Sequence, residues 1–314
     1  MARFGADSTT DDVLDGVDLT DKRVLVTGAS AGLGVETTRA LAAHGASVTM
    51  AVRDLDKGAA AMEQVLATAP EARLDLRELD LADLSSIRTF ASSFLEDHPT
   101  LDILIGNAGV MACPQGTTVD GFETQFGTNH LGHFLLIQLL TPALVAADGA
   151  RVVLLSSAGH RFSDVDLDDP GFEHTLYDPW VAYGRSKTAN VLCAVALDRR
   201  LADRGVRAFA VHPGGIQTEL GRHLTRESLA ALLASRPPGQ EIEWKTVPQG
   251  AATTVYAATS SDLDGMGGRY LEDCQLAELA EDPLSSSGVH GYALDPERAE
   301  ALWALSERLV DAPR

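Results

Sequence analysis

The sequence predicts an α/β protein built on one doubly wound parallel sheet of about seven strands, with helices on both faces. Three observations predict it. From Lys22 onward, short apolar runs alternate with amphipathic stretches, with no obvious linker or internal repeat. The first apolar run leads straight into a glycine-rich turn and then a helix, the context in which such a turn binds a nucleotide. At 314 residues, 45% hydrophobic and 22% charged, the chain can bury a large core.

Residues 1–20, rich in Asp and Thr and aperiodic, are expected to form an acidic, flexible tail, and residues 21–314 a single domain. Residues 23–26 are a buried strand feeding Thr27-Gly28-Ala29-Ser30-Ala31-Gly32-Leu33-Gly34, and residues 35–44 a helix stopped by Gly45. The glycines let backbone approach a pyrophosphate, and the helix N-terminus offers free N–H groups. Residues 47–52 form the second strand, whose tip meets an adenosine ribose in such sheets. Val52 cannot hydrogen-bond ribose hydroxyls, whereas Arg53 could pair with a 2′-phosphate. Asp54 is its competitor there, or else the N-cap of a helix over 55–67. The reading favours NADP(H) and leaves NAD(H) open.

Residues 73–79 form a third strand ended by Asp80, which either accepts from an adenine amino group or closes a turn. A helix over 84–95 follows, then a strand over 101–105 ending in Gly106-Asn107-Ala108-Gly109, whose small residues leave room for a ligand. A long helical stretch over 122–147 carries Asn129, His130 and His133, with Pro142 a kink or break. The two histidines read as packing or surface residues. A fifth strand over 151–155 delivers Ser156 and Ser157 to its C-terminal end, without the elbow of a hydrolase nucleophile, so a hydroxyl here suits holding a substrate oxygen. Residues 159–180 are an acidic, proline-bearing loop.

The next helix, to about 204, carries Tyr183 and Lys187 four apart on one face. An ammonium beside a phenol is expected to lower the tyrosine pKa from about 10, fitting it to move a proton near neutrality. A sixth strand over 206–211 precedes Pro213, Gly214, Ile216 and Thr218. Residues 213–249 are the least regular part and read as a lid with one short helix over 226–235. A helix over 248–258, a seventh strand over 267–271 and a helix over 296–310 close the chain.

A net charge of −20 argues against nucleic acid or anionic membrane as partners. Three widely spaced cysteines, no metal spacing, no secretory signal and no run long enough to span a bilayer point to the cytoplasm. Homo-oligomerisation is left open.

In order, Thr27-Gly28-x-x-x-Gly32-x-Gly34, Asn107-Ala108-Gly109, Asn129, Ser157, Tyr183-x-x-x-Lys187 and Pro213-Gly214 resemble the motifs of the single-domain short-chain dehydrogenase/reductases, a Rossmann-fold family, over roughly residues 20–310. The stretch 128–134, Asp178-Pro179-Trp180 and the long loop before Tyr183 resemble the branch holding retinol dehydrogenases, WW-domain-containing oxidoreductase and protochlorophyllide reductase. Gly106 stands where the family often has a second Asn, and the polar N-terminal stretch leads to the expectation of no membrane anchor ahead of the fold, unlike many retinol enzymes. The resemblance implies a catalytic set of Tyr183 as acid/base, Lys187 on the nicotinamide ribose, Ser157 on the substrate oxygen, and Asn129 fixing the helix and a relay water. It also implies that Gly28, Ser30, Gly32, Leu33, Gly34, Arg53, Asp80, Leu81, Asn107, Ala108, Gly109, Pro213, Gly214, Ile216 and Thr218, with Tyr183 and Lys187, hold the cofactor. The implied activity is hydride transfer between NADP(H) and a small carbonyl or alcohol. The rivals are reduction of an activated C=C bond and a cofactor-binding protein without turnover.

Overall fold

The computed structural model describes residues 3–224, 244–280, 282, 285 and 287–312. Among them the sheet has eight strands in the order β3-β2-β1-β4-β5-β6-β7-β8. These are β1 (Arg23–Thr27), β2 (Ser47–Val52), β3 (Arg73–Glu78), β4 (Ile103–Gly106), β5 (Arg151–Leu155), β6 (Arg207–His212), β7 (Arg269–Glu272) and β8 (Gln275–Leu276). Pairing is parallel from β3 through β7, and the added β8 turns back antiparallel on β7. The strand order reverses between β1 and β4, which opens a crevice at their C-terminal ends.

Two apolar layers sandwich the sheet. One face packs α1 (Thr10–Leu14), α2 (Gly32–Ala43), α3 (Leu55–Thr68) and α7 (Val247–Thr259). The other packs α4 (Leu84–Asp97), α5 (Thr124–Ala146), α6 (Pro179–Leu201) and α8 (Pro296–Asp311). Helix starts follow from local chemistry. Asp178 and Asp295 accept first-turn N–H groups of α6 and α8, each followed at once by a proline whose fixed φ suits that position. Asp54 likewise caps α3 by accepting from the Lys57 N–H at 3.1 Å.

The N-terminal segment differs from the expected flexible tail. Thr9 and Asp12 form a capping box on α1, and Val13 and Leu14 are buried against the α2–α7 layer. The aperiodic sequence hid this because the covering helices lie far along the chain. Thr9→Ala should cost about 1 kcal/mol of stability, read as a lower urea midpoint; an unchanged midpoint would show that α1 does not belong to the cooperative unit.

Pro142 sits inside α5 without ending it; the irregular part is the π-helical stretch Gly127–Leu131, which contains Asn129. By length and composition α5 could cross a bilayer, but 67% of its apolar window is buried inside the fold. Of the expected lid, residues 225–243, and with them the helix over 226–235, lie outside the described residues. At one margin of the sheet, β3 alternates charge outward: Arg77 pairs with Asp75 at 2.6 Å and with Asp97 at 2.7 Å. At the other, both residues of the short β8 are exposed.

Candidate active site

The central strands β1, β4, β5 and β6 are largely buried, but Gly28, Asn107, Ser157 and Pro213 beyond their C-terminal ends are half-buried, outlining the crevice at the strand-order reversal. Its floor is a glycine cradle. Gly28 has φ +66, and a Cβ there would meet the Ala108 Cα at 2.8 Å. Gly34 lies so close under the turn that any side chain would strike the Gly28 carbonyl. Gly32 has φ +54 and faces the Thr218 methyl. The N-cap of α2 is Ala31, which has no side-chain oxygen to satisfy the first-turn N–H groups. Backbone room and open N–H donors at a helix N-terminus together fit a pyrophosphate, so the residues present suit a dinucleotide.

The two halves of the cradle are stitched together. Asn107 donates through Nδ2 to the Thr27 carbonyl at 2.8 Å and to the Gly28 carbonyl at 3.2 Å. The Ala108 N–H donates to Thr27 Oγ1 at 3.0 Å. Ser30 and Leu33 line the half-buried turn, and Ile216 packs over Gly250 and near Leu33. Pro213 and Gly214 leave β6, where Gly214, at φ +96, is covered by the Lys245 stem. At the adenosine end Arg53 is exposed, with no ion pair among the described residues, while Asp54 is occupied as a cap. Asp80 uses Oδ1 to accept from the Ala82 N–H at 2.9 Å, which is the turn role, and Leu81 is buried beneath it.

Beside this cradle, α6 carries Tyr183 and Lys187, each 3% exposed. Lys187 Nζ donates to the Leu155 carbonyl at 3.0 Å and lies 5.7 Å from the Tyr183 ring centre. The side chains of Ser157 and Tyr183 close together on Gly159, where Ser157 acts to lower the Tyr183 pKa, and Ser157 Oγ accepts from the Gly159 N–H at 3.0 Å. Asn129 is fully buried. Its Oδ1 accepts from the Val110 N–H at 2.8 Å, and its Nδ2 donates to the Val110 carbonyl and to Ser186 Oγ, both at 2.9 Å. Ser186 Oγ in turn donates to the Tyr183 carbonyl at 2.8 Å. Asn129 thus ties the π-helical stretch to the loop after β4 and to the tyrosine turn of α6.

The electrostatics correct one expectation. The Tyr183 phenol is pushed up to about 12 by burial, opposed by the Ser157 hydrogen bond, instead of being lowered by Lys187. Burial also brings Lys187 down to about 8. The cation does not offset this because the amine, at about 8, has lost its proton before the phenol, at about 12, ionises.

Three histidines that the sequence left without a site role buttress this crevice. His133 is buried and donates through Nδ1 to the Asn129 carbonyl at 2.9 Å. That tautomer leaves Nε2 to accept from Thr27 Oγ1 at 2.8 Å. His212 accepts through Nδ1 from the Ala158 N–H at 3.2 Å. His160 lies behind Ser157. The signal available in sequence was a polar ring within an apolar run at i+4 from Asn129, but its partner Thr27 is remote along the chain.

A family model described as short chain dehydrogenase matches residues 22–228. A Streptomyces lividans protein named probable oxidoreductase is 45% identical over 292 residues, covering 91% of this chain and 97% of its own. WW domain-containing oxidoreductase of Homo sapiens is 40% identical over 316 residues, covering 98% of this chain and 72% of its own. Among solved structures, an uncharacterized protein from Mycobacterium Paratuberculosis superposes with a TM-score of 0.73 at 37% identity, covering 99% and 98% of the two chains. A Pseudomonas aeruginosa RhlG/NADP active-site complex gives 0.63 at 26% identity, covering 81% and 95%.

Proposed function

Because the chain belongs to the short-chain dehydrogenase/reductase family and is an oxidoreductase of it, we propose that it transfers hydride between NADP(H) and the carbonyl or secondary alcohol of a small organic substrate. The observation that carries this reading is the convergence of the Ser157 and Tyr183 side chains over Gly159 on the rim of the glycine cradle, with Lys187 one helical turn further along. Two hydroxyls converging on one point can hold one substrate oxygen between them. When bound, the nicotinamide supplies or accepts the hydride. In the reducing direction the Tyr183 O–H gives its proton to the substrate oxygen, while the Ser157 hydroxyl stabilises the charge that develops there. In the oxidising direction Tyr183 takes the alcohol proton. Lys187 would hold the ribose hydroxyls of the bound cofactor, and Asn129 fixes the backbone beneath Tyr183 through Ser186.

Arg53 and Asp54 support the choice of NADP. The carboxylate that could select a free ribose is engaged at the start of α3, and the guanidinium beside it is exposed for a 2′-phosphate. Arg53→Ala should lower the NADPH/NADH ratio of kcat/KM by about 10- to 100-fold, the worth of a hydrogen bond to a charged group. An unchanged ratio would reject the assignment. Three buried free thiols suit a reducing compartment, which supports the proposal of a cytoplasmic location.

A further inference from the structure

Ser157 is held from behind by a residue outside the catalytic set. His160 is fully buried, three residues on, in the middle of the short 3₁₀ turn Ala158–Phe162 that Ser157 caps. Its Nδ1 lies 2.7 Å from the Ser157 carbonyl, which also accepts the His160 N–H at 3.0 Å. On the far side of the ring, Nε2 accepts the His290 N–H at 3.2 Å. A backbone N–H can only donate and a carbonyl can only accept, so these two partners fix one neutral tautomer, with the proton on Nδ1. The ring lies 4.9 Å from the Tyr270 ring and 5.8 Å from that of His290. The His160 carbonyl is itself clamped, accepting from Tyr292 Oη at 2.7 Å and from Thr188 Oγ1 at 3.0 Å. Thr188 follows Lys187 on α6, and Tyr292 belongs to the segment leading into α8.

We propose that His160 is a positioning residue for the reaction: a neutral strut that braces the Ser157 backbone against the segment 288–292, and so aims the Ser157 hydroxyl at the substrate oxygen shared with Tyr183. Among the described residues Ser157 Oγ is held by the adjacent Gly159 N–H and closes on Tyr183. Its direction therefore follows the backbone that His160 grips. The facing groups agree with a neutral ring: burial, Arg161 and His290 all disfavour its protonation, which the Ser157 carbonyl alone favours. The inference rests on the Ser157 role proposed above.

The two halves of the ring can be replaced separately. The Nδ2 of His160→Asn can reproduce the Nδ1 donor to the Ser157 carbonyl, whereas the side-chain oxygen of His160→Gln can reproduce the Nε2 acceptor for His290. Steady-state kinetics on a carbonyl substrate, with NADPH affinity by fluorescence titration, would be run on both variants, on Tyr292→Phe and on Ser157→Ala. His160→Gln should lose about 10- to 100-fold in kcat at unchanged NADPH affinity, as expected for a reacting group held off its line. His160→Asn should stay within a few-fold of the parent, and Tyr292→Phe should fall between them. Equal loss in the Asn and Gln variants, or kcat unchanged in Gln and Tyr292→Phe while Ser157→Ala is impaired, would overturn the strut. Full activity in Ser157→Ala would instead overturn the Ser157 role itself. Should the Gln variant fail to fold, Tyr292→Phe, which removes one hydroxyl and leaves the ring in place, decides the matter by its kcat.

Discussion

Tyr183→Phe should lower kcat by at least about 10²-fold, the low end for loss of a general acid–base group, with NADPH affinity nearly unchanged. The substitution is clean because the ring stays. It keeps the edge contact with Trp180, at 6.4 Å between centres, and the close packing on Gly159. Only the hydroxyl that meets Ser157 is removed. The cofactor-free protein holds that phenol near 12, so at neutral pH it carries its proton and is charged as an acid for carbonyl reduction. Burial raises all five tyrosines, so a spectrophotometric titration of the cofactor-free protein should show one fewer phenol ionising above the usual value of about 10 in the Phe variant than in the parent. Turnover at the parent rate in that variant would require another acid.

The second large effect is on folding. His130, His133 and His160 are buried, and desolvation brings their imidazoles down to about 3, 4 and 3. In the unfolded chain each takes a proton near 6.5. Between these values the unfolded state binds more protons than the fold, so stability rises with pH there and is lost as pH falls below 6.5. Each ring contributes a slope approaching about 1.4 kcal/mol per pH unit, or about 4 kcal/mol for the three together. Glu123, Asp164 and Glu272, all raised by burial, act oppositely and soften the slope. Against a typical total of about 5–15 kcal/mol, the protein should unfold between about pH 5 and 4. Urea unfolding at pH 7, 6 and 5 measures this directly. A flat profile across that range would show that the rings accept protons inside the fold.

What the sequence made legible was local. The strand–turn–helix at Gly28, the Tyr183–Lys187 pair on one helical face and the aspartate-started helices each announce themselves within a few residues. What it hid depends on distant partners. The burial of α1 is decided by α7, more than 200 residues away. The direction of the Tyr183 shift is set by the elements that exclude water from it, and a spacing of four residues carries no information about them. Asn129 was legible as a helical residue, but its bonds run to Val110 and Ser186, and the π-helical stretch that aims it has no sequence signature. Asp54 presented two roles; the local one, capping α3, is occupied.

The margins of the sheet have a consequence for crowding. One outer strand carries paired charges, and the other is only two residues long, so neither offers a second copy a long, flat, apolar ladder of open peptide groups. Strand-to-strand recruitment, the usual route from a concentrated α/β protein to fibrous aggregate, is thereby disfavoured. Any association between copies is left to the helical and loop surfaces, where contacts can form without extending the sheet.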